Sequence, residues 1–183
     1  MVAPSLSAAV RSAFGSTRAE LEGYVSRLGV PLRDIHCTLM CVLLDTRTGA
    51  FAAGHIGDGL IAALHPGFGA RPAVEPPSTG NVGETYLITQ DGWERYLAVT
   101  ESSPAEAEGI STLYLMSDGV ADDCSHPPPP GVFDRWARDI DREVRSSAGA
   151  GTSAVRLVRW LANYELPGSW DDRTLVVLAK VGE

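Results

Sequence analysis

The chain has 183 residues, of which 44% are hydrophobic and 21% charged. This is a globular composition, and it excludes a disordered or collagen-like chain. Fifteen Lys and Arg against 23 Asp and Glu give a formal net charge of −8, which argues against a nucleic acid or an anionic membrane as the main partner. The length fits one domain of about 100–200 residues, and we predict a single domain over residues 1–183.

Targeting signals and cysteine usage indicate the compartment. No apolar run reaches the roughly 18 residues that a membrane-spanning helix needs, and the N-terminal residues lack the basic leader of a secretory signal. Cys37, Cys41 and Cys124 are few and odd in number, which fits a reducing compartment better than a disulfide framework. We therefore predict a cytoplasmic protein.

The first part of the chain predicts a long helix and then short strands. Residues 4–29 have apolar positions at helical spacing, and Gly15 marks a point where the helix is expected to kink or divide. Pro and Gly are so frequent in residues 65–83 that no regular structure is expected there. Strands are predicted at residues 36–44, 50–56 and 60–64, the first two as a hairpin.

The second part predicts further strands around two helices. An acidic surface loop is expected at residues 101–109, and Pro127–Pro130 is interpreted as a stiff spacer. Helices are predicted at residues 132–146 and 153–165, the second with Thr152 or Ser153 as its N-cap. Strands are predicted at residues 85–89, 96–100, 110–116 and 174–181.

The order of these elements predicts the fold class. Strands outnumber the helices that would connect parallel strands, so the sheets are expected to be largely antiparallel. The fold class is therefore α+β, with antiparallel sheets and helices in layers.

Acidic residues cluster next to the predicted strand ends. They follow the strands at 50–56 and 110–116 and precede the strand at 174–181. If these ends converge, the carboxylates repel one another unless hard cations such as Mg²⁺, Mn²⁺ or Ca²⁺ neutralise them. Asp-Gly is also ordinary turn chemistry, so a turn interpretation stays open for each one. The residues concerned are Asp58, Asp118, Asp122, Asp123, Asp171 and Asp172.

Other kinds of site find little support in the sequence. The four histidines lack a spacing typical of metal ligation, and Cys124 with His126 is too short a motif to define a zinc site. Cys37 and Cys41 fall on one face of a predicted strand, as buried small side chains do. The chain has no serine nucleophile elbow, phosphate-binding loop or dinucleotide fingerprint, and its Lys and Arg form no stripe.

Three motifs, in order along the chain, resemble a known family. Gly57-Asp58-Gly59, Ser117-Asp118-Gly119 and Asp171-Asp172-Arg173-Thr174 resemble the later motifs of the metal-dependent protein phosphatases, the protein phosphatase 2C family. His36–Leu39 is similar to the start of the strand before the first motif, and residues 76–85 resemble the bacterial branch. The resemblance spans nearly the whole chain.

This resemblance implies a fold and a reaction. Two antiparallel sheets form a β-sandwich flanked by helices, with a pair of Mg²⁺ or Mn²⁺ ions at one end. The substrate is a phosphorylated protein, such as the product of a Ser/Thr kinase, which loses phosphate from phosphoserine or phosphothreonine. The two cations lower the pKa of a bridging water that attacks phosphorus in line, so no protein nucleophile is implied.

The resemblance also implies metal ligands. By position, Asp118 and Asp171 resemble ligands of the metal pair, and Asp58, Asp118 and Asp122 resemble ligands of a third, weaker metal. The spacing before Thr174 favours Asp171 over Asp172.

One feature departs from the family pattern. No Asp-Gly precedes residue 58, whereas the family has an N-terminal segment carrying the Asp that bridges the two metals. We expect one or two N-terminal strands to be missing. Three hypotheses stay open: a truncated phosphatase, a catalytically inactive phosphatase-like binding or regulatory module, and a site completed by another chain. Unpaired sheet edges favour a dimer or a completing chain.

Overall fold

The computed structural model describes residues 5–74, 85–125, 131–146, 150–163 and 171–180. These residues form a mixed α+β arrangement with two antiparallel sheets and helices, as the sequence predicts. The helices are α1 (Leu6–Leu28), α2 (Pro104–Glu108), α3 (Asp118–Ser125), α4 (Val132–Ser146) and α5 (Ala150–Asn163). The strands are β1 (Leu39–Leu44), β2 (Phe51–Ile56), β3 (Leu60–His65), β4 (Gly69–Pro72), β5 (Ala98–Glu101), β6 (Thr112–Met116) and β7 (Leu175–Ala179).

The chain divides into two compact units. The first unit comprises Met1–Asp58 and Ala73–Glu108, and the second comprises Gly59–Pro72 and Gly109–Glu183. A single domain over residues 1–183 and a sandwich of the two sheets both stay predictions. None of the described helices is long and apolar enough to cross a membrane.

The first unit contains a three-stranded antiparallel sheet in the order β1-β2-β5. β1 and β2 form the predicted hairpin, with register from Leu39↔Ile56 to Leu44↔Phe51. α1 begins at the N-cap Ser5, whose Oγ accepts a hydrogen bond from Ala8 N (3.2 Å). α1 continues through Gly15 to Leu28 as one helix, because its apolar stripe is packed along its length rather than interrupted there.

The core of the first unit lies between α1 and β2. Val10 and Phe14 of α1 pack with Ala52 and Ile56 of β2, and all four are at most 1% exposed. Ile88, Trp93 and Leu97 from the following segment complete this cluster. Burial of these side chains is the main force that holds α1 on the sheet.

The second unit contains a four-stranded antiparallel sheet in the order β4-β3-β6-β7. Tyr114 and Met116 of β6 are fully buried against Ala137 and Ile140 of α4, which are also buried. The Tyr114 hydroxyl donates to the Ala137 carbonyl oxygen (2.7 Å), so its polar end is satisfied inside the core.

Arg145, near the end of α4, fastens that helix to the strand ends. Its Nη1 donates to the Lys180 carbonyl oxygen (2.6 Å), and its Nη2 donates to the Ser111 carbonyl oxygen (3.1 Å). The Asp141 carboxylate, one turn earlier, holds the guanidinium from the other side (2.9 Å).

Three elements form where the sequence predicted loops or a strand end. β4 lies within residues 65–83, and its edge position explains how a strand tolerates Pro72. α2 forms inside the acidic segment because Ser103 and Glu106 make a capping box. Ser103 N donates to Glu106 Oε2 (2.8 Å) and Glu106 N donates to Ser103 Oγ (3.3 Å). α3 is the third element of this kind, and it follows the end of the strand predicted at residues 110–116.

Two predictions are wrong: the strand at residues 85–89 and the start of the helix predicted at residues 153–165. Residues 85–89 form no strand, since Ile88 N donates to the Cys37 carbonyl oxygen (3.1 Å) and Ile88 O accepts from Arg18 Nη1 (2.8 Å). α5 begins at Ala150, so neither Thr152 nor Ser153 is its N-cap. The Ser153 hydroxyl instead donates to the Val144 carbonyl oxygen (3.2 Å).

Some predictions are not tested by the described residues. Pro127–Pro130, His126 and most of residues 76–85 lie outside them. Among the described strands, none pairs with the outer edge of β1, and the dimer or completing chain stays a prediction.

Candidate functional site

The antiparallel pairing of β6 and β7 brings two of the predicted motifs together. Met116 at the end of β6 is opposite Leu175 at the start of β7. The segment Ser117-Asp118-Gly119 leaves β6, and Asp171-Asp172 approaches β7 at the same edge of the sheet. Strand register in the second unit therefore places the segment that carries Asp118 beside the segment that carries Asp171.

Ser117 joins the end of β6 to the segment before β7 through three hydrogen bonds. Its backbone N donates to the Thr174 carbonyl oxygen (3.1 Å), and its hydroxyl donates to the Asp172 carbonyl oxygen (3.2 Å). The same hydroxyl oxygen accepts a hydrogen bond from Thr174 N (2.9 Å). We did not single out Ser117 from the sequence, although its place before Asp118 in the motif is a signal that could have identified it.

Gly119 lets the two segments come close. A methyl group at this position would lie 2.7 Å from the Asp172 carbonyl oxygen and 3.0 Å from the Asp171 Cβ atom. Contacts this short are not tolerated, so only glycine allows the chain to pass here without displacement.

α3 presents two of the predicted ligands. Asp118 is its first residue and Asp122 lies four residues later, so both carboxylates project from the same face of the helix. Asp118 Oδ1 accepts a hydrogen bond from Gly119 N (2.8 Å), which orients the carboxylate at the helix start. Asp122 is exposed.

Asp58 belongs to the first unit and follows β2 by two residues. Its Oδ2 atom accepts a short hydrogen bond from the Thr85 hydroxyl (2.5 Å). Thr85 ends the segment 76–85 that resembles the bacterial branch, but its contact with Asp58 was not predicted, because it joins positions far apart in the chain.

His55 is a buried histidine near Asp58. It is 2% exposed, and its Nε2 atom has no hydrogen-bond partner among the described residues. Burial lowers the pKa of His55 below its ordinary value of 6.5, and the negative charge of Asp58 opposes part of that shift. The folded protein therefore favours the neutral imidazole.

We expect the free energy of unfolding to fall as the pH is lowered below about 6.5. In that range the unfolded chain binds a proton at His55 that the folded chain does not. For one such group the slope cannot exceed about 1.4 kcal/mol per pH unit. Urea unfolding between pH 5 and 7.5 measures the slope of the free energy of unfolding against pH, and this slope should be smaller in His55→Gln. Equal slopes in the two proteins would contradict the role of His55.

The candidate ligands fit a hard divalent cation in kind. All four are aspartate carboxylates, the oxygen donors that Mg²⁺ and Mn²⁺ prefer. Asp118 and Asp122 lie on α3, Asp171 approaches Gly119 from the segment before β7, and Asp58 lies in the first unit. No three His, Cys, Asp or Glu side chains of the described residues are close enough to hold one metal ion together.

The two antiparallel sheets and their helices define an α+β protein. The aspartates at its β6–β7 junction are carboxylates of the kind that hard cations bind. A family model of protein phosphatase 2C matches residues 3–162, and the chain belongs to this family. The matched range includes Asp58, Asp118 and Asp122 but ends before Asp171. Comparisons with curated proteins and with solved structures gave no match.

Proposed function

We propose that this chain is a Mg²⁺- or Mn²⁺-dependent phosphatase acting on phosphoserine and phosphothreonine in proteins. The observation that carries the proposal is the close approach of the Asp118-Gly119 segment to Asp171 at the β6–β7 junction of a protein phosphatase 2C family member. Strand register and the Ser117 hydrogen bonds support this approach.

We assign Asp118 and Asp171 of the second unit to the metal pair, and Asp58 and Asp122 stay predicted carboxylate ligands for hard cations. When bound, such cations supply an acidified water as nucleophile and neutralise charge on the phosphoryl oxygens. The protein's own groups position the carboxylates that would bind these cations. Gly119 N holds the Asp118 carboxylate, and Ser117 holds the backbone that carries Asp171.

The substrate that we propose is a phosphorylated protein, such as the product of a Ser/Thr kinase, and no nucleic acid or membrane is required. We place the protein in the cytoplasm, where the free thiols of Cys37 and Cys41 would stay reduced.

We expect the 183-residue chain to hydrolyse p-nitrophenyl phosphate and a phosphothreonine peptide with Mn²⁺, and to lose this activity in EDTA. Removing the cation leaves the carboxylates with no means to activate water, so the residual rate should equal the background. Restoring Mn²⁺ should restore the rate.

The same assay discriminates the alternative, a catalytically inactive phosphatase-like module. Absence of turnover in a chain that is folded by circular dichroism would contradict the enzyme proposal. In that case, phosphopeptide binding that is unchanged by EDTA would favour a binding or regulatory role.

A further inference from the structure

The outer side of β1 is an open sheet edge in the first unit. β1 is the first strand in the order β1-β2-β5, and no strand of the described residues pairs with its outer side. It pairs with β2 residue for residue from Leu39 to Leu44, without a bulge. Open edges commonly carry a charge, a proline or a bulge, which hinder pairing with another chain. β1 has none of these, since its 6 side chains are all uncharged and none is proline.

The hydrogen bonds around the β1–β2 hairpin show which backbone groups face outward. Asp45 N donates to the Ala50 carbonyl oxygen (2.8 Å), so these two opposite residues form a hydrogen-bonded pair. Phe51, the next residue, turns its carbonyl oxygen to the other side, where it accepts from Ser102 N (2.8 Å). Hydrogen-bonded and non-hydrogen-bonded pairs alternate along an antiparallel ladder. The N–H and C=O groups that point away from β2 are therefore those of Met40, Val42 and Leu44.

These outward groups match a second copy of the same strand. Two copies of β1 that run antiparallel about a two-fold axis at Val42 place Met40 of each copy opposite Leu44 of the other. Each pair of opposite residues then exchanges two hydrogen bonds across the axis. No outward N–H or C=O group of these three residues is left without a partner.

The same pairing would cover the exposed apolar end of β1. Leu43 and Leu44 are 38% and 39% exposed. In the two-fold arrangement Leu43 lies opposite Cys41 of the second copy, and Leu44 lies opposite Met40. Directly opposite apolar side chains are close enough to shield each other from water. The side chains of β1 therefore favour the same pairing as its backbone groups.

β7 is the other edge strand of the described residues that lacks a charged side chain, but its flanks differ from those of β1. Arg173 precedes β7 by two residues and Lys180 follows it directly, and cations at an edge hinder pairing. After β1, the Asp45 carboxylate is held within its own turn, where it accepts from Arg47 N (2.9 Å) and from the Thr48 hydroxyl (2.7 Å). The edge of β1 is therefore the better one for pairing.

We propose that two copies of this chain associate through β1, antiparallel about a two-fold axis at Val42, so that their three-stranded sheets join into one continuous sheet. The inference goes beyond the proposed function and does not depend on it, because β1 carries none of the candidate metal ligands.

Sedimentation velocity of the full chain over about 1–300 µM tests the association, because a single strand pair lies at the small end of protein interfaces. We expect an equilibrium between monomer and dimer. Leu44→Lys should raise the dimer Kd at least about 10-fold, since pairing would bury an ammonium group against Met40. Val176→Lys makes the same kind of change at a residue of β7 that is 43% exposed, and it should leave the Kd within about twofold.

Cysteine cross-linking tests the register. Val42→Cys places the two introduced cysteines opposite each other, at the Cα separation of about 5.5 Å of a hydrogen-bonded pair, which a disulfide can bridge. Leu44→Cys places them four residues apart along the strands, roughly 14 Å. Mild oxidation should therefore trap Val42→Cys as a covalent dimer at least about 10-fold faster. Exposure alone predicts the opposite order, since Val42 is half-buried and Leu44 is exposed, and both variants keep the native cysteines.

Every outcome supports or overturns the proposal. A chain that stays monomeric leaves the edge to a different polypeptide segment and overturns association of two copies. A dimer that Val176→Lys weakens and Leu44→Lys does not moves the interface to β7, and equal cross-linking rates overturn the register. Weakening by Leu44→Lys together with faster trapping of Val42→Cys supports the proposal. Circular dichroism checks the fold of each variant, and the cross-linking comparison decides alone if Leu44→Lys does not fold.

Discussion

Asp118→Asn is expected to lower Mn²⁺-dependent phosphatase activity by at least about 100-fold, since loss of an outer-shell partner alone costs about 10–100-fold. Asparagine keeps an oxygen that can accept the hydrogen bond from Gly119 N, so the start of α3 should be preserved. The change removes the charge that a cation requires. Initial rates with p-nitrophenyl phosphate over a range of Mn²⁺ concentrations measure the effect.

Asp139→Asn is the matched control for this prediction. Asp139 is an exposed aspartate on α4 that pairs with Arg142 (2.9 Å), and its loss should leave the rate within about twofold, as for surface positions generally. Full activity in Asp118→Asn would remove Asp118 from the site. Comparing Asp171→Asn with Asp172→Asn then decides which of the two is the ligand.

Gly54→Ala is expected to destabilise the first unit by about 2 kcal/mol, within the range for overpacked cores. Alanine normally stabilises a strand relative to glycine by about 0.5–1 kcal/mol, so the sign here is opposite to the usual one. The added methyl group would lie 2.6 Å from Val10 Cγ1 and 2.8 Å from Phe14 Cε2. α1 must move away from β2 to make room. Urea unfolding monitored by circular dichroism gives the difference.

Gly15→Ala makes the same chemical change on α1, where nothing lies within 4 Å of the added methyl group. It should stabilise the protein by about 0.5–1 kcal/mol. In a Val10→Ala background the cost of Gly54→Ala should shrink by at least about 1 kcal/mol, because the nearest clashing atom is absent. Additive effects of Gly54→Ala and Val10→Ala would contradict the close approach of α1 to β2.

Strong local patterns made much of the fold predictable. The helix over residues 132–146 was predicted with the bounds of α4, because its apolar residues recur with a clear helical period. The β1–β2 hairpin followed from two apolar runs around a polar turn, and the pairing is confirmed. Local hydrophobic periodicity carries enough information for elements of this kind.

Elements that depend on distant or subtle contacts were not predicted. Residues 85–89 look like a strand by composition, but Arg18 of α1 and Cys37 bind their backbone groups instead. α2 was missed because the helix has only 5 residues, too few to show a helical period in the sequence. Asp118 was found through its motif, whereas the contacts of Ser117 and Thr85 were not predicted, since only folding brings their partners near.

The edge strand β7 is fastened at both of its ends. Ser117 binds the chain before the strand through Asp172 and Thr174, and Arg145 binds the chain after it through the Lys180 carbonyl oxygen. Edge strands fray most readily from their free ends, and this one has neither end free. Local opening of β7 must therefore break the Arg145 contact or the Ser117 contact first, and every opening from the Ser117 side moves Asp171. The backbone arrangement that brings Asp171 close to Gly119 therefore lasts only as long as β7 stays attached at this end.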